Sequence, residues 1–215
     1  MSWSTILFDL DGTVTDPKEG ITKAVVTALA HFGIHEEPDN LTKFIGPPLD
    51  ESFPEFYGFD REQTQVATEK FREYFARQGW IENVPYPGMA ELLRDLQPAG
   101  KRLIIATSKP EVFALRILEH FGMAAYFDHI CGAPLDNQEG AKKAAVIRDA
   151  LGRAGVTDLR DAVMVGDRRH DIAGAHEVGL EAVGVLYGYG DRAEHQAAGA
   201  EYIVEDIAAL RGLLL

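Results

Sequence analysis

Two aspartates separated by one residue follow a short apolar stretch near the start of the chain. Residues 6–8 (Ile-Leu-Phe) include no polar side chain, which is typical of a strand buried on both faces. Asp9 and Asp11 then lie where this strand ends, and strand geometry directs both side chains to the same side. Two carboxylates this close repel each other unless one is protonated or a cation lies between them. Oxygen ligands at such a point suit Mg²⁺, which prefers carboxylates and keeps some of its waters.

The residue after this pair leaves a second interpretation open. Gly12 follows Asp11, and Asp-Gly is a common turn pair. The same residues could therefore form only the turn that ends a strand. The ends of the other strands decide the question, because ligands of an open parallel sheet bind beyond the carboxyl ends of its strands.

A second strand end carries hydroxyl groups. The apolar run of residues 103–107 ends at Thr107 and Ser108, and Pro110 suits the first position of a following helix. The unpaired N–H groups and the positive dipole of a helix N-terminus favour an anion such as phosphate. A plain Ser/Thr helix cap is the alternative for both residues.

A third strand, predicted over residues 162–165, is followed by two more carboxylates. Gly166 permits a close backbone approach, and Asp167 and Asp171 can reach the edge of the sheet where Asp9 lies. Asp171 could instead cap the next helix, or do both. The cationic side chains around them are more typical of a solvated rim: Arg168, His170 and His176.

Converging carboxylates need cations, so we expect both a metal ion and a lysine among them. Lys142 and Lys143 open a predicted helix whose core face is centred between Val146 and Ile147. One turn of about 3.6 residues before that centre is position 143, whereas Lys142 is rotated away by about 100°. The periodicity therefore predicts that Lys143 points inward.

The elements that position these residues alternate in the second part of the chain. Apolar strands and amphipathic helices follow each other there, which predicts a parallel sheet with helices on both faces. The preceding stretch has helical patterns and no confident strand. A capping box of Asp60 and Gln63 begins its longest helix, which we expect to run to about Gln78. We predict an α/β protein with a Rossmann-like core of residues 1–15 and 86–215 and an inserted helical unit of residues 16–85.

Composition limits the possible partners and the compartment. The 215 residues carry a formal net charge of −13, which argues against nucleic acid polymers and anionic membranes as partners. A small anionic substrate stays possible, because a metal and local cations can outweigh the global charge. The single cysteine, Cys131, is interpreted as a buried small hydrophobe. No secretory leader or membrane-length apolar run is visible, so we expect a cytoplasmic protein.

Taken together and in this order, the motifs resemble those of the haloacid dehalogenase-like superfamily of phosphohydrolases. Residues 9–13 resemble its first motif, Thr107 its second, Lys143 its third, and Gly166-Asp167 with Asp171 its fourth. Within it, phosphoglycolate phosphatase-like and bacterial 5′-nucleotidase-like proteins look most similar, on the strength of residues 44–48, 106–110 and 166–171. Residues 132–137 depart from the Gly-Ser…Asp-Gly loop that the resemblance leads us to expect.

The resemblance implies a Mg²⁺-dependent phosphatase that acts on a small phosphomonoester, such as phosphoglycolate or a nucleoside 5′-monophosphate, through an aspartyl-phosphate. In the implied mechanism, Asp9 is the nucleophile, Asp11 is the general acid and base, and Thr107 and Lys143 hold the phosphoryl oxygens. The implied substrate-binding positions, through backbone N–H groups, are Leu10 and Ser108. The implied metal ligands are Asp9, Asp11 through its carbonyl, Asp167, and Asp171 either directly or through a water. The resemblance also implies a helical cap for residues 16–85. We expect a monomer or homodimer.

Two alternatives remain. A β-phosphoglucomutase-like phosphotransferase shares the first motif but has a cap histidine where this chain has Ile21. A non-catalytic phosphate-binding regulatory module is expected to lose Asp11 or Lys143, and both are present. Relatives that dehalogenate do not need an acid at the position of Asp11, so this residue favours phosphate chemistry.

Overall fold

A six-stranded parallel sheet forms the centre of one of the two units of the chain. The structure is a computed structural model that describes residues 3–135 and 142–215. Its α/β unit runs to Asp16 and resumes at Pro85, and its helical unit comprises Pro17–Val84. The assignment of a catalytic role to the first unit and a capping role to the second stays a prediction.

The strands are β1 (Thr5–Phe8), β2 (Thr15–Asp16), β3 (Val84–Pro85), β4 (Arg102–Pro110), β5 (His129–Ala133), β6 (Ala162–Gly166), β7 (Glu181–Val185) and β8 (Tyr202–Val204). The α-helices are α1 (Lys18–Ala30), α2 (Leu49–Tyr57), α3 (Arg61–Tyr74), α4 (Met89–Leu96), α5 (Glu111–His120), α6 (Lys143–Arg153), α7 (Arg169–Val178), α8 (Arg192–Ala198) and α9 (Ile207–Leu214). The main sheet has the order β5-β4-β1-β6-β7-β8, and β2 and β3 form a separate two-stranded sheet. The predicted α/β class is confirmed.

The register of β1 aligns its last residue with the end of β6 and with the middle of β4. Phe8 lies opposite Ile105 of β4 and Val165 of β6, and all three strands run in parallel. The N–H of Asp9 continues the ladder by donating to the carbonyl of Val165 at 2.9 Å. The residues after β1, along β4 beyond Ile105 and after β6 therefore meet at one edge of the sheet.

Apolar side chains on one face of the sheet pack against α6 and α7. Leu7, Ile104 and Met164 of three adjacent strands form a fully buried cluster with Ile147 of α6 and Ile172 of α7. Full burial of a side chain of this size contributes about 1.5–3 kcal/mol. The same contacts hold α6 and α7 beside the strand ends, and so position the residues of their first turns.

The helical unit contains α1, α2 and α3. The predicted capping box is present: the amide of Gln63 donates to Asp60 Oδ1 at 2.9 Å, and the amide of Asp60 donates to Gln63 Oε1 at 3.0 Å. The last turn of the predicted long helix differs, because α3 ends at Tyr74 and a π-helical turn, Phe75–Gly79, follows.

Four further observations bear on the sequence analysis. Cys131 is fully buried in β5, and this burial raises the pKa of its thiol to about 11. The helix α8 did not emerge from the sequence pattern. Of the divergent stretch 132–137, residues 136 and 137 lie outside the described part of the chain. Within residues 3–135 and 142–215, no helix combines the length and apolar character needed to cross a membrane.

Candidate active site

Three buried carboxylates converge at the aligned strand ends. Asp9 follows β1, Asp167 follows β6, and Asp171 lies in the first turn of α7. Each contributes an oxygen to a group in which these atoms all lie within 4.8 Å of one another. The three side chains are almost inaccessible to solvent. The structure thus brings together the residues that the sequence places at this edge.

Lys143 is the buried member of the lysine pair, and Lys142 is exposed. Nζ of Lys143 lies 2.8 Å from Asp9 Oδ1 and 2.7 Å from Asp171 Oδ1. It also donates a hydrogen bond to the carbonyl of Ala106 at 3.1 Å. Burial alone would lower the pKa of Lys143, but the neighbouring Asp171 and Asp9 carboxylates outweigh it and raise this pKa. Lys143 is therefore a permanent cation between two carboxylates.

Asp171 occupies a different position from the one the capping alternative requires. It is the third residue of α7, and Arg168 is the N-cap, so the interpretation of Asp171 as an N-cap is wrong. Its Oδ2 accepts a hydrogen bond from the amide of Arg168 at 3.0 Å. Gly166 lies so close that a β-carbon there would overlap the Asp171 carboxylate. The side chain is thus held by the strand end and by the helix start together.

The charge of this cluster fits a divalent cation. With all three carboxylates ionised (Asp9, Asp167 and Asp171), the one ammonium of Lys143 leaves two negative charges uncompensated in a buried space. Burial raises the pKa of Asp171 to about 6 even beside Lys143, and burial with the charges of Asp171 and Asp9 raises the pKa of Asp167 well above its usual range. An all-oxygen donor set with this charge matches the preference of Mg²⁺.

Asp11 forms a separate ion pair that the sequence reasoning did not anticipate. Its Oδ2 lies 2.5 Å from Nζ of Lys109, and its buried Oδ1 has no hydrogen-bond partner within the described part of the chain. Burial raises the pKa of Asp11 by more than the neighbouring Lys109 lowers it. The signal in the sequence was a lysine two residues beyond Thr107, at the same predicted strand end.

Thr107 and Ser108 belong to β4 and do not cap a helix. The N-cap of α5 is Pro110, which precedes the first helical residue, so the helix-cap alternative for both residues is wrong. Thr107 is buried, and its Oγ1 accepts a hydrogen bond from the amide of Lys109 at 3.2 Å. Ser108 is half-buried. Both residues extend β4 beyond the register position of Phe8, at the edge where Asp9 lies.

The first motif folds into a tight turn beside Asp167. The amide of Leu10 donates to Asp9 Oδ1 at 2.8 Å, and the Leu10 carbonyl accepts from the amide of Val14. Gly12 has a φ of +82°, and a β-carbon there would overlap the Asp167 carboxylate. Glycine is thus required both by the backbone conformation and by the close approach.

Two residues outside the predicted set hold Asp167. The hydroxyl of Thr13 donates to its Oδ1 at 3.3 Å, and the amide of Tyr189 donates to its Oδ2 at 2.8 Å. Tyr189 lies 22 residues beyond Asp167, in the segment after β7. This contact is made by a backbone amide, which every residue except proline has, so the amino-acid sequence alone does not predict it.

Two of the basic residues near the fourth motif contact glutamates. Arg168 Nε lies 3.0 Å from Glu194 Oε1, and His176 Nε2 lies 3.1 Å from Glu201 Oε1. Burial, and the positive charges of the neighbouring Arg169 and Arg168, lower the pKa of His170 to about 4.

Comparison with known proteins agrees with the geometry. The family model described as haloacid dehalogenase-like hydrolase matches residues 6–185. A 5′-nucleotidase of Pseudomonas aeruginosa is 43% identical over 216 residues, which cover 100% of this chain and 96% of that protein. The tyrosine-protein kinase PtkA of Mycobacterium tuberculosis is 41% identical over 187 residues, or 86% of this chain and 62% of that protein. A crystal structure of a predicted phosphatase from Clostridium acetobutylicum matches with a TM-score of 0.96 and 45% identity, over 100% of this chain and 99% of its own.

Proposed function

The chain belongs to the haloacid dehalogenase-like hydrolase family as a phosphatase, and we propose that it hydrolyses small phosphomonoesters with Mg²⁺ through an aspartyl-phosphate on Asp9. The observation that carries the proposal is the contrast between the two leading aspartates. Asp9 is paired with Lys143 inside the carboxylate cluster, and Asp11 is paired with Lys109 outside it. Two carboxylates two residues apart are thus in different electrostatic environments, as a nucleophile and an acid require.

Asp9 is proposed to attack phosphorus with Oδ2. Its other oxygen, Oδ1, is held at 2.8 Å by both Lys143 Nζ and the amide of Leu10. These two contacts set the orientation of the carboxylate before substrate binds. A carboxylate that attacks a phosphoryl group forms a covalent acyl-phosphate intermediate.

Asp11 is proposed to give a proton to the leaving oxygen and then to take one from the hydrolytic water. The raised pKa of this buried carboxyl favours the protonated form that the first step requires. Its unpartnered Oδ1 is available for transfer, while Lys109 fixes Oδ2.

The phosphoryl oxygens are proposed to bind Thr107, Lys143 and backbone N–H groups, among them those of Leu10 and Ser108. Phosphoryl transfer depends almost entirely on positioning and charge stabilisation. The Leu10 amide contacts Asp9 Oδ1 in this structure, so phosphate binding would exchange or share that hydrogen bond.

Asp9, Asp167 and Asp171, with the backbone carbonyl of Asp11, are proposed to hold Mg²⁺. When bound, the ion supplies positive charge that reduces the repulsion between the phosphoryl group and the carboxylates. The supporting observation is the pair of uncompensated negative charges in the cluster.

A nucleoside 5′-monophosphate is the substrate class that we propose first, and phosphoglycolate stays the second. The support is the 43% identity to a protein named 5′-nucleotidase across the whole chain. We propose, as before, that the protein acts as a monomer or homodimer and has no nucleic acid polymer or membrane as partner.

Phosphoryl transfer to an acceptor other than water is the second candidate function. The 41% identity to a protein named tyrosine-protein kinase favours it, because an aspartyl-phosphate can in principle be attacked by a hydroxyl group as well as by water. A β-phosphoglucomutase-like transfer is less favoured, since Ile21 replaces the cap histidine of those proteins. The non-catalytic module predicts no turnover at all.

The test is phosphate release from p-nitrophenyl phosphate and from nucleoside 5′-monophosphates, with Mg²⁺ and with EDTA. We expect activity only with Mg²⁺, and a fall in kcat of about 10²–10⁴-fold for Asp11→Asn and at least as much for Asp9→Asn. Asp149→Asn, at an exposed carboxylate of α6, is the control and should retain wild-type turnover. Near wild-type turnover in folded Asp9→Asn protein would contradict the mechanism. Release of p-nitrophenol that requires an added acceptor, with the phosphoryl group recovered on that acceptor and not as free phosphate, would favour the second candidate.

A further inference from the structure

The segment after β7, residues 186–190, contacts both the first motif and Asp167. The hydroxyl of Tyr187 donates to the carbonyl of Thr13 at 3.0 Å, and the hydroxyl of Thr13 donates to Asp167 Oδ1 at 3.3 Å. The amide of Tyr189 donates to Asp167 Oδ2 at 2.8 Å. Both oxygens of Asp167 therefore accept a hydrogen bond. The segment donates the bond to Oδ2 itself, and it supports the bond to Oδ1 by holding Thr13.

The fit between this segment and the site leaves no spare volume. A β-carbon on Gly188 would overlap the carbonyl oxygen of Gly12 and the Asp167 side chain. A β-carbon on Gly190 would overlap the Asp167 carbonyl oxygen. The two glycines thus allow the backbone to lie directly against the residues that it holds.

Both tyrosines are anchored at a further point. The ring of Tyr187 lies edge-on to that of Tyr86, with 5.0 Å between centroids, and the hydroxyl of Tyr189 donates to Asp16. Burial raises the pKa of Tyr187 above its usual value, so its hydroxyl keeps the proton that it donates to Thr13.

We propose that Tyr187 is a positioning residue of the active site, which acts through Thr13 to orient Asp167 for the metal. The inference rests on the proposed function. Asp167 lies among like charges that would otherwise turn it away, and hydrogen bonds to both of its oxygens oppose that rotation. Residues that hold a metal ligand in this way set metal affinity even though they do not contact the ion.

The first experiment measures Mg²⁺ and Mn²⁺ binding to the full chain by calorimetry without substrate. Tyr187→Phe keeps the ring and removes only the hydroxyl, so we expect the Kd of both ions to rise about 3- to 10-fold. Tyr126→Phe, in the short 3₁₀ helix Ala124–Tyr126, is the matched control and should bind as wild type. With p-nitrophenyl phosphate, the Tyr187→Phe defect should shrink at saturating Mg²⁺, which a general loss of packing would not produce.

A double-mutant cycle tests the route through Thr13. Thr13→Val removes the hydroxyl that holds Asp167, and we expect the Kd for Mn²⁺ to rise by about tenfold or more. Adding Tyr187→Phe should then raise it little further, because the link that Tyr187 supports is already lost. Wild-type Mn²⁺ affinity in Tyr187→Phe, or simple addition of the two effects, would overturn the inference. Wild-type protein that binds Mn²⁺ but hydrolyses no ester would overturn the proposed function instead, and the binding cycle would still decide the role of Tyr187.

Discussion

At the scale of single residues, two lysines form ion pairs with three of the buried carboxylates. Lys143 contacts Asp9 and Asp171, and Lys109 contacts Asp11. A buried ion pair is costly to desolvate, so its value lies in the geometry and the charge that it imposes. Here each lysine holds one oxygen of a leading aspartate and leaves the second oxygen in place for chemistry.

Replacing Lys143 should damage both stability and turnover. In Lys143→Ala, Asp9 and Asp171 lose the cation between them, and removal of one partner from a buried pair costs about 3–5 kcal/mol. Lys142→Ala, at the exposed neighbouring position, should change neither the free energy of unfolding nor kcat by much. Urea denaturation without metal and kcat for p-nitrophenyl phosphate measure the two effects. Greater damage from Lys142→Ala would mean that the assignment of the cation is wrong.

Sequence reasoning succeeded for residues whose position follows from local periodicity. The direction of Lys143 follows from the phase of one helix. The common side expected for Asp9 and Asp11 stays a prediction, because β1 ends at Phe8, before both residues. The Lys109–Asp11 pair joins residues 98 apart, and the Tyr187–Thr13 hydrogen bond joins residues 174 apart. Contacts of this kind depend on the exact placement of loops, which periodicity does not supply.

At the scale of elements, replacement of a glycine by alanine should have opposite effects on the free energy of unfolding in two helices. Gly20 of α1 lies against the carbonyl of Gly79, so that a β-carbon there would overlap it, whereas Gly152 of α6 has no atom within 4 Å of that position. Gly20→Ala should therefore destabilise by about 1–3 kcal/mol through overpacking. Gly152→Ala should stabilise by roughly 0.5–1 kcal/mol, because alanine restricts the unfolded chain and favours helix. Thermal unfolding of both variants checks this, and equal shifts in Tm would contradict it.

A second element-scale prediction concerns Glu201, which joins α7 to β7. Burial would raise its pKa, but hydrogen bonds from the Ala182 amide at 2.8 Å and from His176 lower it below the ordinary 4.5. A depressed pKa in the folded state means that ionised Glu201 stabilises the fold above about pH 4.5 and loses that contribution as pH falls through the folded value.

Glu201→Gln should accordingly be less stable than wild type at pH 7, by a few tenths to about 1 kcal/mol because the group is partly exposed. The difference should disappear below the folded pKa of the carboxyl. Denaturant titrations at a series of pH values from 7 downward measure it, and a gap that stays constant as pH falls would mean that shape rather than charge accounts for the change.

Elements were predictable where the chain carries its own boundary signals. The Asp60 and Gln63 capping box marks the start of α3, and an apolar run marks β6. Helix α8 is short, polar and mostly exposed, so its sequence shows no helical repeat of apolar residues from which it could be predicted. The end of α3 at Tyr74 was missed because the π-helical turn after it continues a helical pattern.

At the scale of the whole molecule, the described site residues all belong to the α/β unit. The α/β unit consists of the segments up to Asp16 and from Pro85 onward, and these segments contain Asp9, Asp11, Thr107, Lys143, Asp167 and Asp171. If these groups bind and transfer phosphate, discrimination between one ester and another must come from elsewhere. We therefore predict that the helical unit, Pro17–Val84, is a cap that sets specificity.

The loop of residues 45–48 is the part of that unit we expect to matter most, with a plain helix-to-helix connection as the alternative. Gly46 has a φ of +102°, which a β-carbon disfavours, and Pro48 is the N-cap of α2. Pro48→Ala should relax the start of α2 without strain and shift the ratio of kcat/KM between nucleoside 5′-monophosphates and phosphoglycolate, on the order of tenfold if the loop contacts the leaving group. The Mg²⁺ concentration for half-maximal rate should not change, because the carboxylate cluster is untouched. Gln65→Ala, at an exposed position of α3, is the control. An unchanged substrate ranking in folded Pro48→Ala and Gly46→Ala proteins would make the loop structural and move the search for specificity to the remaining residues of the helical unit.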